Sequence, residues 1–326
     1  MEDCLVSIGV LAGTVMVCHV LRRTARELLC PRWQSGGRQS HPRLDPVPLE
    51  VAEELFSTLQ LCICTHELQL LGGSGLLGQT PAFGLTYLIT LVHLTTFGSA
   101  CCNPVSCLEQ FLHGQCSGQV AIAKVLAQLG AASVARRVSE IVWELDMSDL
   151  HWHHHQWQYE CASTLNTNPG NGLVVEFACA FALKAVLFRS QCLKQKHKIH
   201  VVATLITFLV FAAGDLTGAM LNPALAYSVT FNCKGNTYLE YCFVYWLGPL
   251  MDMVTEIIGL INEYSSTAKM YPFQAMVFIS GQFGFGRWGQ PLRKVGALTA
   301  MMLFDTKYVS SDKVSTETQA TEEKRD

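Results

Sequence analysis

The chain has 326 residues, half of them apolar and only 15% charged, with a formal net charge of −3. That balance lacks the basic field a nucleic-acid-binding surface needs and points to one helical membrane domain plus a tail. The 14 cysteines lie largely inside apolar runs (Cys18, Cys62, Cys64, Cys179), where Cys acts as a small apolar residue. They read as no disulfide framework and no zinc motif, Cys62-Ile63-Cys64 being too tight for Cys-x-x-Cys.

A spanning helix takes about 20 apolar residues. Runs of that kind lie at Cys4–Leu21, Val51–Leu71, Ala82–Ala100, Val120–Val142, Leu173–Arg189, Ile199–Asp215 and Tyr238–Ile261. The first is followed by Arg22, Arg23, Arg26, Arg32, Arg38 and Arg43. It reads as an uncleaved signal-anchor or an amphipathic surface helix, because a cleaved signal peptide carries its positive charge in front. Arg189, Lys194, Lys196 and Lys198 separate the fifth and sixth runs. The positive-inside rule puts both basic stretches in the cytoplasm, and the four crossings between them keep that assignment self-consistent.

Two Asn-Pro elements stand in matching contexts: Gly98-Ser99-Ala100-Cys101-Cys102-Asn103-Pro104-Val105 and Thr217-Gly218-Ala219-Met220-Leu221-Asn222-Pro223-Ala224. Pro fits the first turn of a helix, where its missing N–H has no partner to lose, and Asn before it is a good N-cap. Each element therefore reads as the start of a short half-helix. Two such starts meeting at the bilayer midplane favour polar solutes and oppose cations. Glu54 and Glu176 each precede an Asn-Pro element by one further span. With three crossings per copy, the two copies must insert upside down relative to each other, which is an inverted repeat. As intramembrane carboxylates, Glu54 and Glu176 need partners; backbone groups of the re-entrant turns are the expected ones, with a water-facing interface position as the alternative.

These motifs resemble the aquaporin family. The resemblance runs through Ala82-Phe83-Gly84-Leu85-Thr86, Asn103-Pro104-Val105, Thr217-Gly218-Ala219, Asn222-Pro223-Ala224 and Tyr245-Trp246-Leu247-Gly248-Pro249, and covers about Val51 to Pro249. Cys64-Thr65-His66-Glu67-Leu68-Gln69-Leu70-Leu71, Val105 and Trp143-Glu144-Leu145 resemble the unorthodox branch that holds aquaporin-11 and aquaporin-12; Thr230-Phe231 and Leu239-Glu240-Tyr241 lean toward the latter. The implied fold is an all-α membrane protein, an aquaporin-like right-handed bundle of six transmembrane helices plus two re-entrant half-helices. It would occupy residues 50–265, after an N-terminal apolar segment and basic linker (1–49) and before a divergent cytoplasmic tail (266–326). The polar end Ser310–Asp326 is expected to be disordered.

The resemblance also assigns roles. Asn103 and Asn222 would aim amide N–H groups into the pore, orienting each water and breaking a proton wire. Pro104, Val105, Pro223 and Ala224 complete the pore centre, Val105 replacing the usual Ala. Leu225 replaces the Arg that orthodox members place after the second motif. Counted along the motifs, the constriction would be Phe83, Val210, Ala219 and Leu225, wholly apolar; the alternative is that Leu225 packs against a helix and the constriction lies elsewhere. Without polar groups there, water loses hydrogen bonds worth on the order of 1–3 kcal/mol each. Slow water flow, and passage of glycerol or hydrogen peroxide, follow as expectations.

Other features carry less. His151, His153, His154 and His155 crowd one segment on the non-cytoplasmic side with Trp152 and Trp157, and read as a solvated loop rather than a metal site. Met251-Asp252-Met253-Val254-Thr255-Glu256 puts two carboxylates in the second half of the last span, facing the pore or the interface, or marking an alternative exon. Met270–Phe285 is short for a span. No catalytic constellation is present, and neither a cofactor nor a metal is expected. The resulting expectation is a passive channel for water and small neutral solutes in an intracellular membrane, either endoplasmic reticulum or vesicles, with the lipid bilayer as surroundings and a homotetramer as assembly. A non-conducting protein of the same fold, with a structural or interaction role, is the alternative.

Overall fold

A computed structural model describes residues 2–29 and 47–254. The basic linker around Arg32, Arg38 and Arg43, together with Glu256, Met270–Phe285 and the tail, lies outside the described residues. The described chain is helical, with one isolated bridge, Ala162 to Lys234. Its elements are α1 (Glu2–Leu29), α2 (Val47–Gly73), α3 (Gln79–Thr96), α4 (Pro104–Leu112), α5 (Gly118–Trp143), α6 (Asp149–Gln156), α7 (Pro169–Arg189), α8 (Gln195–Thr217), α9 (Pro223–Val229) and α10 (Tyr238–Cys242). A π-helical stretch at Phe243–Leu247 carries α10 onward, and helical turns continue through residues 248–254.

Most of these helices begin where the local chemistry dictates. Ser117, Ser148 and Asn168 each accept a first-turn N–H on their side chains. At α10, Thr237 and Glu240 exchange bonds in a capping box, which satisfies two amides that would otherwise be unpaired. α1, α5, α7 with its following turn, and α8 are long and apolar enough to cross a membrane. At 27 residues α2 is as long, about 40 Å at 1.5 Å per residue, but carries Glu50, Glu53, Glu54 and Glu67.

α2 runs along α5, α3 along α8, and α7 along both α8 and the π-helical stretch of α10; α4 and α9 lie against α5. Small residues bring α5 close: Ala132 and Ala135 are fully buried against Cys62, Ile63 and Ala224. Gly248 does the same for α10. A Cβ there would sit 3.1 Å from Glu176 Cβ and 3.3 Å from the Leu173 carbonyl.

Three sequence expectations change. First, Cys161 and Cys233 form a disulfide. They stand in polar segments 72 residues apart, so neither apolar context nor short spacing betrays the pair. The link is reinforced where Lys234 N–H donates to the Cys161 carbonyl and Ser163 N–H to the Lys234 carbonyl. Second, the histidine-rich segment is not a solvated loop but the helix α6, and His151 on it is fully buried. Third, Asp252 is buried and lies 3.6 Å from Lys184 Nζ, which also holds Glu109 at 2.6 Å. That cluster, joining α4, α7 and the last helix, gives the Asp252 carboxylate a counter-charge in place of pore or interface exposure.

Candidate functional site

The two Asn-Pro turns are built alike. Residues Cys102 and Leu221, just before each Asn, sit at φ of 55° and 56°, a left-handed conformation that costs a non-glycine residue on the order of 1–2 kcal/mol. Asn103 and Asn222 then adopt extended conformations, with φ of −141° and −143°. A glycine with positive φ, Gly98 or Gly218, precedes each turn. At Gly218 a Cβ would also lie 2.6 Å from Met220 Cε and 3.1 Å from Thr164 Cβ. The strained turns persist because buried carboxylates hold them.

Glu54 accepts the N–H groups of Cys101 at 2.8 Å and Cys102 at 2.9 Å, and the Gln128 amide at 2.8 Å. Glu176 accepts Leu221 N–H at 2.8 Å, Met220 N–H at 3.1 Å and the Thr217 hydroxyl at 2.6 Å. Both carboxylates are almost wholly buried. Hydrogen bonds to a charged group are worth about 1.5–3 kcal/mol each, enough for three of them to offset the strain of one or two left-handed residues. Around the first turn, Gln110 and Gln128 also donate to the sulfurs of Cys101 and Cys107.

Each Asn side chain caps its own half-helix and reaches the opposite turn. Asn103 Oδ1 accepts Val105 N–H at 3.0 Å; Asn222 Oδ1 accepts Ala224 N–H at 3.0 Å and Leu225 N–H at 3.4 Å. With the oxygens committed as caps, the amide nitrogens must point the other way. Asn103 Nδ2 donates to the Leu221 carbonyl at 3.2 Å, and Asn222 Nδ2 to the Cys102 carbonyl at 2.6 Å. Each amide has a second N–H beyond that bond. Pro104, Val105, Pro223 and Ala224 are buried beside them.

On one side of this centre Tyr245 braces the end of α8, donating to the Thr217 carbonyl at 2.7 Å, with Thr164 at 3.1 Å from the same hydroxyl. The four residues counted as a constriction lie on α3, on α8, in the second Asn-Pro turn and on α9. Phe83 on α3 is half-buried, edge-on to Phe211 of α8 at 5.2 Å. Val210 lies on α8, half-buried; Ala219 is buried in the second turn. Leu225, in the first turn of α9, is half-buried and packs against two apolar clusters, one around Tyr241 and Tyr245 and one around Cys62 and Ala132.

Sequence reasoning missed a polar junction where α2, α5 and α6 meet. Glu67 accepts Trp143 Nε1–H at 2.8 Å and faces His151 Nε2 at 3.0 Å, both buried. One turn position away, Ser228 donates to the Ala132 carbonyl at 2.8 Å, so it receives the proton of His66 Nε2 at 3.1 Å. On α6 burial holds the His154 imidazole below its ordinary value, and the Arg136 charge acts in the same direction. The signal was present in the intramembrane His66-Glu67 pair, whose partners had to come from another element.

The profile of the major intrinsic protein family matches residues 71–258. The chain is 33% identical to aquaporin-11 of Equus caballus over 258 residues, covering 79% of this chain and 89% of the relative. Against aquaporin-12 of Mus musculus it is 33% identical over 257 residues, 78% of this chain and 84% of the relative. The chain belongs to the major intrinsic protein, or aquaporin, family. It is an integral membrane protein of a channel family whose members are not enzymes. Over a shorter stretch, 185 residues, it is 36% identical to putative aquaporin-12B of Homo sapiens. The aquaporin turns described above thus sit within the matched region.

Proposed function

We propose that this aquaporin is a passive channel for water and small neutral solutes, glycerol and hydrogen peroxide among them, with Asn103 and Asn222 at the pore centre. The observation that carries the reading is the committed orientation of both Asn amides. Their oxygens cap α4 and α9 and one N–H of each crosses to the opposite turn; in this reading the remaining N–H of each meets a passing solute oxygen. A water held by two donors at that point donates outward in both directions, which interrupts proton transfer along the file. The helix N-termini add partial positive charge that opposes cations.

Selectivity in this reading rests on Phe83, Val210, Ala219 and Leu225. An uncharged apolar ring offers water no replacement for the hydrogen bonds it gives up, whereas the carbon skeleton of glycerol loses less. Location in an intracellular membrane and assembly as a homotetramer with one pore per subunit accompany the proposal, supported by likeness to aquaporin-11 and aquaporin-12 and by the family fold. The test is solute flux into liposomes carrying the purified chain, water and glycerol measured separately. Flux above empty liposomes that Asn222→Asp abolishes supports the channel; none from correctly folded protein supports the non-conducting reading, toward which the two-cluster packing of Leu225 leans.

A further inference from the structure

We propose that α1 is an additional membrane crossing, entered from the non-cytoplasmic side, and that through Arg26 it positions the turn leading to the first Asn-Pro element. At 28 residues α1 is about 42 Å long, more than the hydrocarbon thickness of a bilayer. Residues 4–21 contain no Asp, Glu, Lys or Arg, so α1 has no charged face with which to lie on a surface. Its buried residues are Ser7, Leu11, Cys18 and Arg22, a single stripe at spacings of four and seven. That stripe packs along α2, and Leu11 joins an apolar cluster with Cys64 of α2 and Ile89 of α3. The rest of the helix presents Leu5, Ile8, Met16, Val17 and Val20 outward, an apolar surface that calls for lipid.

The two ends fix the direction. Glu2 and Asp3 stand at one end, and Asp3 Oδ1 accepts the N–H of Leu150 on α6. Arg22, Arg23 and Arg26 stand at the other, where the positive-inside rule puts the cytoplasm. At that end Arg22 reaches Gln60 at 2.7 Å and Ser57 at 3.4 Å. Arg26 Nε donates to Glu53 Oε1 at 2.7 Å, and the second Glu53 oxygen accepts the Ser99 hydroxyl at 2.7 Å. A Cβ on Gly98 would lie 3.2 Å from Arg26 Nη2. Glu53 and Glu54 are therefore consecutive handles on one turn: Glu54 holds Cys101 and Cys102, and Glu53, locked by Arg26, holds Ser99. The second turn takes its extra brace from Tyr245; the first takes it from α1.

Two experiments on the full chain test this without relying on conduction. In the first, a glycosylation acceptor on a flexible spacer is fused ahead of Met1 and the chain is made in microsomes, with the same acceptor inserted after Gln158 as the positive control. Glycosylation of the leading acceptor is expected. Its absence while the control is modified would overturn the crossing. In the second, maleimide labelling of half-buried Cys101 is measured relative to deeply buried Cys179, so that general unfolding cancels. Arg26→Ala and Glu53→Ala are expected to raise that ratio several-fold, and Arg23→Ala, whose partner is the exposed Glu27, to leave it unchanged. An unchanged ratio in the first two variants would overturn the positioning role.

Discussion

At the scale of single residues, Asn222 does two jobs with one amide. Replacing it by Asp keeps the oxygens that cap Ala224 and Leu225, so α9 still starts in place. It removes the donor to the Cys102 carbonyl and places an acceptor where the solute needs a donor. Losing one such bond is worth about 1–3 kcal/mol, and about 1.4 kcal/mol is a factor of ten in rate. Solute flux in liposomes should therefore fall roughly tenfold or more, with circular dichroism unchanged. Leu225 tests the ring assignment. Leu225→Arg should raise the water-to-glycerol permeability ratio several-fold by restoring polar contacts for water; an unaltered ratio would put the constriction elsewhere.

Among elements, the re-entrant turns are held from behind. Glu176→Gln leaves one acceptor oxygen and turns an NH2 toward N–H groups that need acceptors. Leaving a buried donor unpaired costs about 1–3 kcal/mol, so a melting-temperature drop of several degrees is expected in detergent, larger than that of an exposed change such as Glu144→Gln. Gly248→Ala acts on the same place from α10. Its methyl would press Glu176 Cβ and the Leu173 carbonyl, and overpacking of this kind costs about 1–3 kcal/mol; thermal stability should fall in the same assay.

For the whole molecule, the described chain combines an inverted repeat with additions. The Cys161–Cys233 disulfide ties the segment before α7 to the segment after α9, and disulfides typically contribute about 2–4 kcal/mol. Cys233→Ser should lower thermal stability by that order, and reduction of the wild type should reproduce the loss while leaving the variant unaffected. Disulfides of this kind form and persist in oxidising compartments. Much of the arrangement was legible from residues. Five of the apolar runs became helices within four residues of their expected ends; α1 continues eight residues past Leu21, and the expected end of the last run, Ile261, lies outside the described residues. The two Asn-Pro elements marked both half-helices, because cap chemistry is local and Asn and Pro state it directly. What was not legible needed long-range partners. His151 looked solvated until Glu67, 84 positions away, was brought beside it. Asp252 looked misplaced until Lys184 supplied its charge. Cys161 and Cys233 gave no local sign of each other. Leu225 could be numbered from the motif, but its packing against two clusters depends on four separate elements.

The central claim is that the paired Asn amides form the centre of a conducting pore. Stopped-flow light scattering on liposomes carrying the wild-type chain and its Asn222→Asp variant, under separate water and glycerol gradients, tests it most directly. Flux above empty liposomes is expected for the wild type, and its collapse in the variant. Equal flux in both, or none from folded wild-type protein, would contradict it.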